Sequence, residues 1–97
     1  WLRLQGWRIL DQRVRQRAGE IDLIARRGRT TAFIEVKTRT TVAALDLAID
    51  DYRLRRVAAA VQAVSHCYAR RGDDIRIDII LIAPRAWPRH LVNVWHG

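Results

Sequence analysis

The sequence has very little of several residue types: no methionine, one cysteine (Cys67), one lysine (Lys37) and two glutamates (Glu20 and Glu35). A single cysteine excludes an intramolecular disulfide, which favours a cytoplasmic protein over a secreted one. The chain has neither an apolar run of about 18 residues nor a signal peptide, so we expect no membrane contact. Because methionine is absent, Trp1 does not mark a translation start, and we expect a truncated N-terminus.

The remaining composition is globular and basic. The 97 residues are 49% hydrophobic and 29% charged, and their formal net charge is +8. This length supports one domain, residues 1–97, around a single core. All but one of the 18 basic side chains are arginine. An excess of positive charge on one small domain favours a polyanionic partner such as nucleic acid.

Hydrophobic periodicity predicts a mixed α/β fold with the element order (α)βββαβ(β). Alternation with a period of two indicates strands, and apolar residues three or four positions apart indicate a long helix. The expected elements are the last turn of a helix over 1–6, strands over 7–14, 20–26 and 30–39, a helix over 43–70, a strand over 75–83 and an edge strand over 90–96. A mixed sheet covered by helices is the predicted architecture.

The second and third strands are predicted to form a hairpin through a Gly28-Arg29 turn, because glycine suits the first central position of a two-residue loop. This turn places Asp22 opposite Glu35 and Glu20 opposite Lys37. All four side chains then project from one face, with opposed Cβ atoms about 5 Å apart. The apolar residues of the second strand are expected on the other face: Ile21, Leu23 and Ala25.

Such a face can indicate a cation-binding site, because two opposed carboxylates repel unless a proton or a divalent cation lies between them. Magnesium takes oxygen ligands, commonly one or two carboxylates together with water and substrate phosphate. A lysine beside the ion can orient the attacking water and stabilise charge on the phosphate. The alternative is a solvated face on which Glu20 and Lys37 form a cross-strand ion pair.

The hairpin also resembles the core of the PD-(D/E)xK nuclease superfamily, in which an aspartate is followed by Glu-x-Lys. The phrases GEIDLIARRG (19–28) and FIEVKTR (33–39) are similar to those of one branch, the YraN-like family of bacterial proteins. That branch is related to archaeal Holliday junction resolvases. The similarity continues through RLRRVAAAV (53–61), RIDIILI (76–82) and HLVNVW (90–95).

The resemblance implies a restriction-endonuclease-like fold and a magnesium-dependent endonuclease that hydrolyses phosphodiester bonds, with branched DNA as the expected substrate. It implies that Asp22 and Glu35 bind Mg²⁺, with Mn²⁺ as a substitute, and that Lys37 assists hydrolysis. Glu20 belongs to the family's motif and is a candidate supporting residue of the catalytic group.

The chain departs from the superfamily pattern at three positions. Ile21 replaces the proline that commonly precedes the aspartate. A glutamate of the first helix, which often completes the metal site, would lie upstream of Trp1. Arg53 stands where the long helix usually begins with a lysine. Two alternatives therefore stay open: a nucleic-acid-binding module of the same fold without turnover, and a protein-interaction domain.

Arginines are the candidate contacts to nucleic acid, because guanidinium–phosphate contacts give sequence-independent affinity. The candidates are Arg13, Arg15, Arg17, Arg26, Arg27, Arg39, Arg53, Arg55 and Arg56. The first three are spaced by two, which would place them on one side of a strand. Trp87, in PRAWPR, is the best candidate for an exposed aromatic that stacks on a base. The resemblance favours DNA over RNA and adds a homodimer as an expected partner.

Overall fold

The computed structural model describes residues 1–39 and 51–95 of the chain. The described elements are a 3-10 helix (Arg3–Gln5), β1 (Arg8–Arg15), β2 (Glu20–Arg27), β3 (Thr30–Thr38), α1 (Asp51–Tyr68), β4 (Asp74–Ile82) and β5 (Arg89–Leu91). Each expected strand is present, although β5 is shorter than predicted. The predicted start of the long helix at Ala43, with Leu47 of its apolar stripe, falls outside the described residues, as does His96.

The strands form one sheet in the order β1-β2-β3-β4-β5. Neighbours are antiparallel except for β3 and β4, which are parallel, so the chain between them must cross over the sheet. α1 belongs to this crossover, as expected for a connection between parallel strands. The mixed α/β class predicted from periodicity is confirmed.

α1 covers one face of the sheet with the predicted apolar stripe. Leu54, Val57, Val61 and Val64 are buried at helical spacing and pack on a cluster that includes Phe33 of β3. Removing each such side chain from water stabilises the fold by about 1.5–3 kcal/mol. Among the described residues, no helix has the combination of length and apolarity that crossing a membrane requires.

A second apolar cluster lies on the opposite face of the sheet. Its buried members are Leu2, Trp7, Ala25, Ala32, Ile34 and Ile80. The 3-10 helix before β1 contributes through Leu2, whereas Leu4 is 91% exposed. The last helical turn predicted over 1–6 is therefore a single 3-10 turn that ends at Gly6 (φ +88°).

The β2–β3 hairpin has the predicted register. Gly28 adopts φ +60°, a conformation that glycine reaches without strain, and the strand pairs run from Arg27–Thr30 to Leu23–Ile34. The predicted facing of β2 is wrong at one position. Ile21 packs with the helix-side cluster, while Leu23 and Ala25 pack on the opposite face.

The altered facing coincides with an irregularity in β1. Arg13, between the pairs Gln12–Leu23 and Val14–Ile21, has φ +54°. A left-handed residue interrupts the regular alternation of a strand. The β1–β2 register also shifts between Ile9 and Asp11, and Arg17 lies beyond the end of β1. The predicted row of Arg13, Arg15 and Arg17 on one side of a strand is not formed.

Three side-chain contacts hold the C-terminal end of α1 and the turn that follows it. Tyr68 donates a hydrogen bond to Asp11 of β1 at 2.7 Å, which raises the pKa of Tyr68 to about 12 and lowers that of Asp11. Asp73 pairs with the Arg26 guanidinium and accepts a hydrogen bond from Thr31. These contacts join the helix and the turn to the β-sheet.

Candidate active site

The predicted acidic residues meet in a cleft between the β2–β3 hairpin and the first turns of α1. The cleft has a volume of about 510 Å³. Its lining residues are Gly19, Glu20, Asp22, Glu35, Arg53, Arg56 and Val57. Carboxylates from the sheet thus face arginines from the helix across one cleft.

Asp22 lies where the pairing of β2 with β3 ends. The last pair is Leu23–Ile34, and beyond it Asp22 Oδ2 accepts a hydrogen bond from the Val36 backbone N–H at 2.8 Å. The Asp22 carboxylate thereby accepts a hydrogen bond that a backbone carbonyl of the neighbouring strand would accept in a regular sheet. It fixes one carboxylate oxygen directly beside Glu35, the residue before Val36.

Glu35 is nearly buried, with 5% of its surface exposed. Its Oε1 lies 2.9 Å from Lys37 Nζ and 3.4 Å from Arg53 Nε. Its Oε2 is also buried, and among the described residues it has no hydrogen-bond partner. A buried carboxylate oxygen without a hydrogen-bond partner is costly, so Oε2 has the capacity to accept a hydrogen bond or to bind a cation.

Lys37 is the buried cation of the site, with 3% of its surface exposed. It lies on the same strand face as Glu35, two residues along β3, so the two side chains are neighbours. The contact has the distance of an ion pair, but Nζ makes no hydrogen bond of good geometry within residues 1–39 and 51–95. The ammonium therefore has donors left for another group.

Glu20 lies at the exposed rim of the cleft, and its predicted neighbour was wrong. Sequence spacing placed it opposite Lys37, but it is paired with Arg15 of β1, with Oε2 3.9 Å from Arg15 Nε. The β2–β3 pairs stop at Leu23–Ile34, so the register does not extend to Glu20. Lys37 instead pairs within its own strand.

The close contact between α1 and the hairpin depends on Gly19, which the motif contained but sequence reasoning did not assign. A Cβ atom on Gly19 would lie 2.7 Å from the Arg56 carbonyl oxygen. Arg56 Nε also donates to the Ala18 carbonyl oxygen at 3.3 Å. Gly19 thus sets how near Arg56 approaches the carboxylates.

The predicted arginines divide into those at the cleft and those engaged elsewhere. Arg53 and Arg56 line the cleft, and Arg15 reaches its rim through Glu20. Arg26 pairs with Asp73, and the Arg27 guanidinium lies 4.5 Å from the Trp7 ring centre. Arg26 and Arg27 therefore have structural contacts that the sequence did not reveal.

The remaining candidate arginines are distributed over other surfaces. Arg13 and Arg17 are exposed on and after β1. Arg39 donates to the Thr38 carbonyl oxygen. Arg55 lies on a different side of α1 and lines a groove with Trp95. The arginines near the acidic residues are therefore a subset of those predicted.

The described residues contain no cluster of three or more His, Cys, Asp or Glu side chains in a metal-binding arrangement. The oxygen donors in the cleft are the carboxylates of Asp22, Glu35 and, at the rim, Glu20. Two carboxylates suffice for Mg²⁺ when water and substrate phosphate supply the other ligands.

Comparison with known proteins identifies the family of this α/β chain. The model of the Uncharacterised protein family UPF0102 matches residues 1–82. A UPF0102 protein of Sphingopyxis alaskensis is 66% identical over 95 residues, which cover 98% of this chain and 82% of that protein. A UPF0102 protein of Erythrobacter litoralis is 60% identical over 98% of this chain and 82% of its own length. One of Methylorubrum extorquens is 48% identical over 97% of this chain and 74% of its own length. The chain belongs to the UPF0102 family, also known as the YraN family, as its hairpin phrases predicted.

Proposed function

We propose that this protein is a magnesium-dependent endonuclease with a PD-(D/E)xK, restriction-endonuclease-like fold. The observation that carries the proposal is the buried Glu35 carboxylate, whose Oε2 has no hydrogen-bond partner in the described part of the chain. Glu35 lines a cleft together with Asp22, and Lys37 Nζ lies 2.9 Å from the other carboxylate oxygen, Oε1. The strand and helix order also agrees with the core of that superfamily.

Asp22 and Glu35 fit a magnesium ion and would hold it. Both offer hard oxygen donors, which Mg²⁺ prefers over nitrogen or sulfur. The Val36 N–H holds Asp22 by Oδ2, so the carboxylate is oriented before an ion arrives. When bound, the ion would neutralise negative charge that develops on the phosphate.

Lys37 is the residue proposed to hold the attacking water or a phosphate oxygen. An ammonium group has three N–H donors, so contact with Glu35 leaves donors for a second group. Its burial fixes the position of Nζ, and a fixed donor stabilises developing charge better than a mobile one. Glu20 would support the site from the rim, where its Oε2 lies 3.9 Å from Arg15 Nε.

The substrate proposed is DNA, with branched DNA as the first candidate by analogy with the resolvases. Arg53 and Arg56 face the carboxylates and would hold the phosphates on either side of the cleaved bond. A net charge of +8 supports binding to a polyanion. Cytoplasmic location and a homodimer, which would match a two-fold DNA junction, belong to the same proposal.

One contact favours a second candidate function, a nucleic-acid-binding module without turnover. Glu35 Oε1 contacts both Lys37 and Arg53, so two cations already compensate this carboxylate in the described structure. A site neutralised by its own side chains needs a metal ion less than a site of bare carboxylates does. This candidate keeps the arginine contacts to phosphate and omits hydrolysis.

A cleavage assay separates the two candidates. Labelled four-way junction, flap and linear duplex DNA are incubated with the protein in Mg²⁺ or in EDTA. The endonuclease predicts Mg²⁺-dependent cleavage that falls at least a hundredfold in Glu35→Gln. Asp74→Asn is the matched control, because it removes one carboxylate charge at the exposed start of β4, opposite Thr30 and far along β3 from Glu35. Binding without cleavage supports the second candidate, and equal cleavage by wild type and Glu35→Gln contradicts the endonuclease.

A further inference from the structure

Trp87 is the most exposed tryptophan among the described residues, with 84% of its surface accessible. It lies in the loop between β4 and β5. By contrast, Phe33 and Trp7 are buried in the two apolar clusters. An exposed indole offers a large planar apolar face that no part of the described fold covers. Such a face is suited to stacking on a nucleobase.

The residues on either side of Trp87 are partly buried. Ala86 packs against the helix-side cluster, and Pro88 lines a pocket on the opposite face of the sheet. Pro84 and Pro88 also restrict the backbone, because each proline ring fixes its own φ. A side chain mounted on a restrained loop loses less conformational entropy when it binds.

The position of the loop relative to the cleft follows from strand register. Lys37 pairs with Leu81 of β4, and Leu81 pairs with Arg89 of β5. Neighbouring strands are about 4.8 Å apart, so the backbones of Lys37 and Arg89 are about 10 Å apart. Trp87 precedes Arg89 by two residues, which adds at most about 7 Å.

This separation is suitable for one substrate to reach both places. A separation of at most about 17 Å corresponds to no more than roughly five stacked nucleotides of one strand. Arg85, exposed in the same loop, adds a guanidinium that can contact a phosphate between them. A strand that is held by the cleft and runs toward β5 would therefore reach the Trp87 loop within a few nucleotides.

We propose that Trp87 stacks on an unpaired base of the substrate, close to the phosphodiester held in the cleft. The inference rests on the proposed function, and it narrows the substrate class. In continuous duplex DNA the base faces are covered by neighbouring base pairs and offer no surface for stacking. The preferred substrate therefore has a single-stranded, gapped or flap segment beside the site.

Binding measured in EDTA tests this inference apart from cleavage. Fluorescence anisotropy compares a labelled single strand, a gapped duplex and a blunt duplex with the wild type and with Trp87→Ala. We expect about tenfold weaker binding of Trp87→Ala to the single strand and the gapped duplex, and less than a twofold change for the blunt duplex. Trp87→Phe should keep most of the affinity, because it retains an aromatic face.

Two further variants separate stacking from simple loss of apolar surface. Trp87→Leu keeps apolar bulk without a planar face and should bind as weakly as Trp87→Ala. Leu4→Ala removes an equally exposed apolar side chain in the 3-10 helix and should bind as the wild type does. Thermal melts by circular dichroism should be unchanged for all four variants, because both positions are exposed.

The outcomes distinguish this inference from the proposed function. Equal affinities of wild type and Trp87→Ala for the single strand, or equal losses on single-stranded and duplex DNA, would overturn the stacking role and leave the endonuclease untouched. Loss of single-strand affinity in Trp87→Ala, combined with cleavage that Glu35→Gln does not reduce, would support stacking and contradict the endonuclease. A wild type that binds none of the three DNAs would overturn both.

Discussion

Asp22 and Val36 join two strands at the point where their backbone pairing ends. The carboxylate Oδ2 of Asp22 accepts a hydrogen bond from the Val36 N–H at 2.8 Å, just past the last β2–β3 pair. This contact orients the carboxylate and fixes the segment of β3 that carries Glu35 and Lys37. One side chain therefore has a structural role and a proposed metal-binding role, and mutations can separate them.

Asp22→Asn and Asp22→Ala are predicted to differ in stability but not in activity. The amide oxygen of asparagine can still accept the Val36 hydrogen bond, so Asp22→Asn should melt close to the wild type. Asp22→Ala leaves the Val36 N–H without this acceptor and should lower the free energy of unfolding by about 1–3 kcal/mol. Both should lose Mg²⁺-dependent cleavage. Full activity in Asp22→Asn would remove this residue from the metal site.

Gly19→Ala is predicted to displace the helix from the hairpin. The new Cβ would lie 2.7 Å from the Arg56 carbonyl oxygen, and a clash with backbone of this kind destabilises by about 1–3 kcal/mol. Chemical denaturation measures the loss, and DNA binding should weaken because Arg56 moves.

Ala63→Ser is the matched control for Gly19→Ala. It also adds one heavy atom to a small residue, but Ala63 is exposed on α1, so the new atom meets solvent. It should lower the free energy of unfolding by only about 0.5 kcal/mol through helix propensity and leave DNA binding intact. Equal stability of Gly19→Ala and Ala63→Ser would show that the close contact with Arg56 does not position the helix.

Arg53→Gln and Arg56→Gln are predicted to reduce the dependence of DNA affinity on salt. Removing one guanidinium–phosphate contact should lower the slope of log affinity against log salt concentration by about 0.9. Arg71→Gln, which removes a guanidinium from the exposed turn after α1, is the matched control and should keep the wild-type slope. Affinity titrations at several salt concentrations measure the slopes. Identical slopes for the three variants would place the phosphate contacts elsewhere.

Asp73→Asn is predicted to destabilise the protein at neutral pH and much less in acid. Burial raises the pKa of Asp73, but hydrogen bonds from the Arg70 N–H, Arg26 and Thr31 outweigh it and leave the pKa below its ordinary value of 3.8. A carboxyl with a lowered pKa stabilises the fold above its ordinary pKa, and this contribution disappears as pH falls through the lowered value.

The melting temperatures of wild type and Asp73→Asn should therefore differ clearly at pH 7 and begin to converge below about pH 4, as the pH falls toward the lowered pKa. The neighbouring exposed Asp74→Asn serves as the control and should differ little from the wild type at either pH. A difference in melting temperature between wild type and Asp73→Asn that is constant from pH 7 to pH 3 would show that the charge of Asp73 does not stabilise the fold.

The sequence predicted those features that depend on local chemistry. The Gly28-Arg29 turn specified the hairpin register as far as Leu23–Ile34, and the helical spacing from Leu54 to Val64 specified the buried side of α1. The prediction failed where a side chain replaces backbone pairing. Asp22 accepts the hydrogen bond of the Val36 N–H, and the backbone pairing of β2 with β3 ends at this point. Glu20 therefore pairs with Arg15 instead of facing Lys37.

Other features depend on residues far apart in the chain. Arg26 and Asp73 are separated by 47 positions, and nothing in the local pattern of either residue indicates their contact. The left-handed Arg13 likewise carries no local signal, since arginine has no preference for that conformation. The chemistry of the site was therefore easier to predict than the exact neighbours of each charge.

Metal binding in the cleft is measured most directly by the anomalous scattering of Mn²⁺ soaked into crystals of this protein. We expect one strong peak between the carboxylates of Asp22 and Glu35, within coordination distance of Glu35 Oε2, and its loss in crystals of Glu35→Gln. Well-occupied Mn²⁺ elsewhere with none at this cleft, or an undiminished peak in Glu35→Gln, would contradict this expectation.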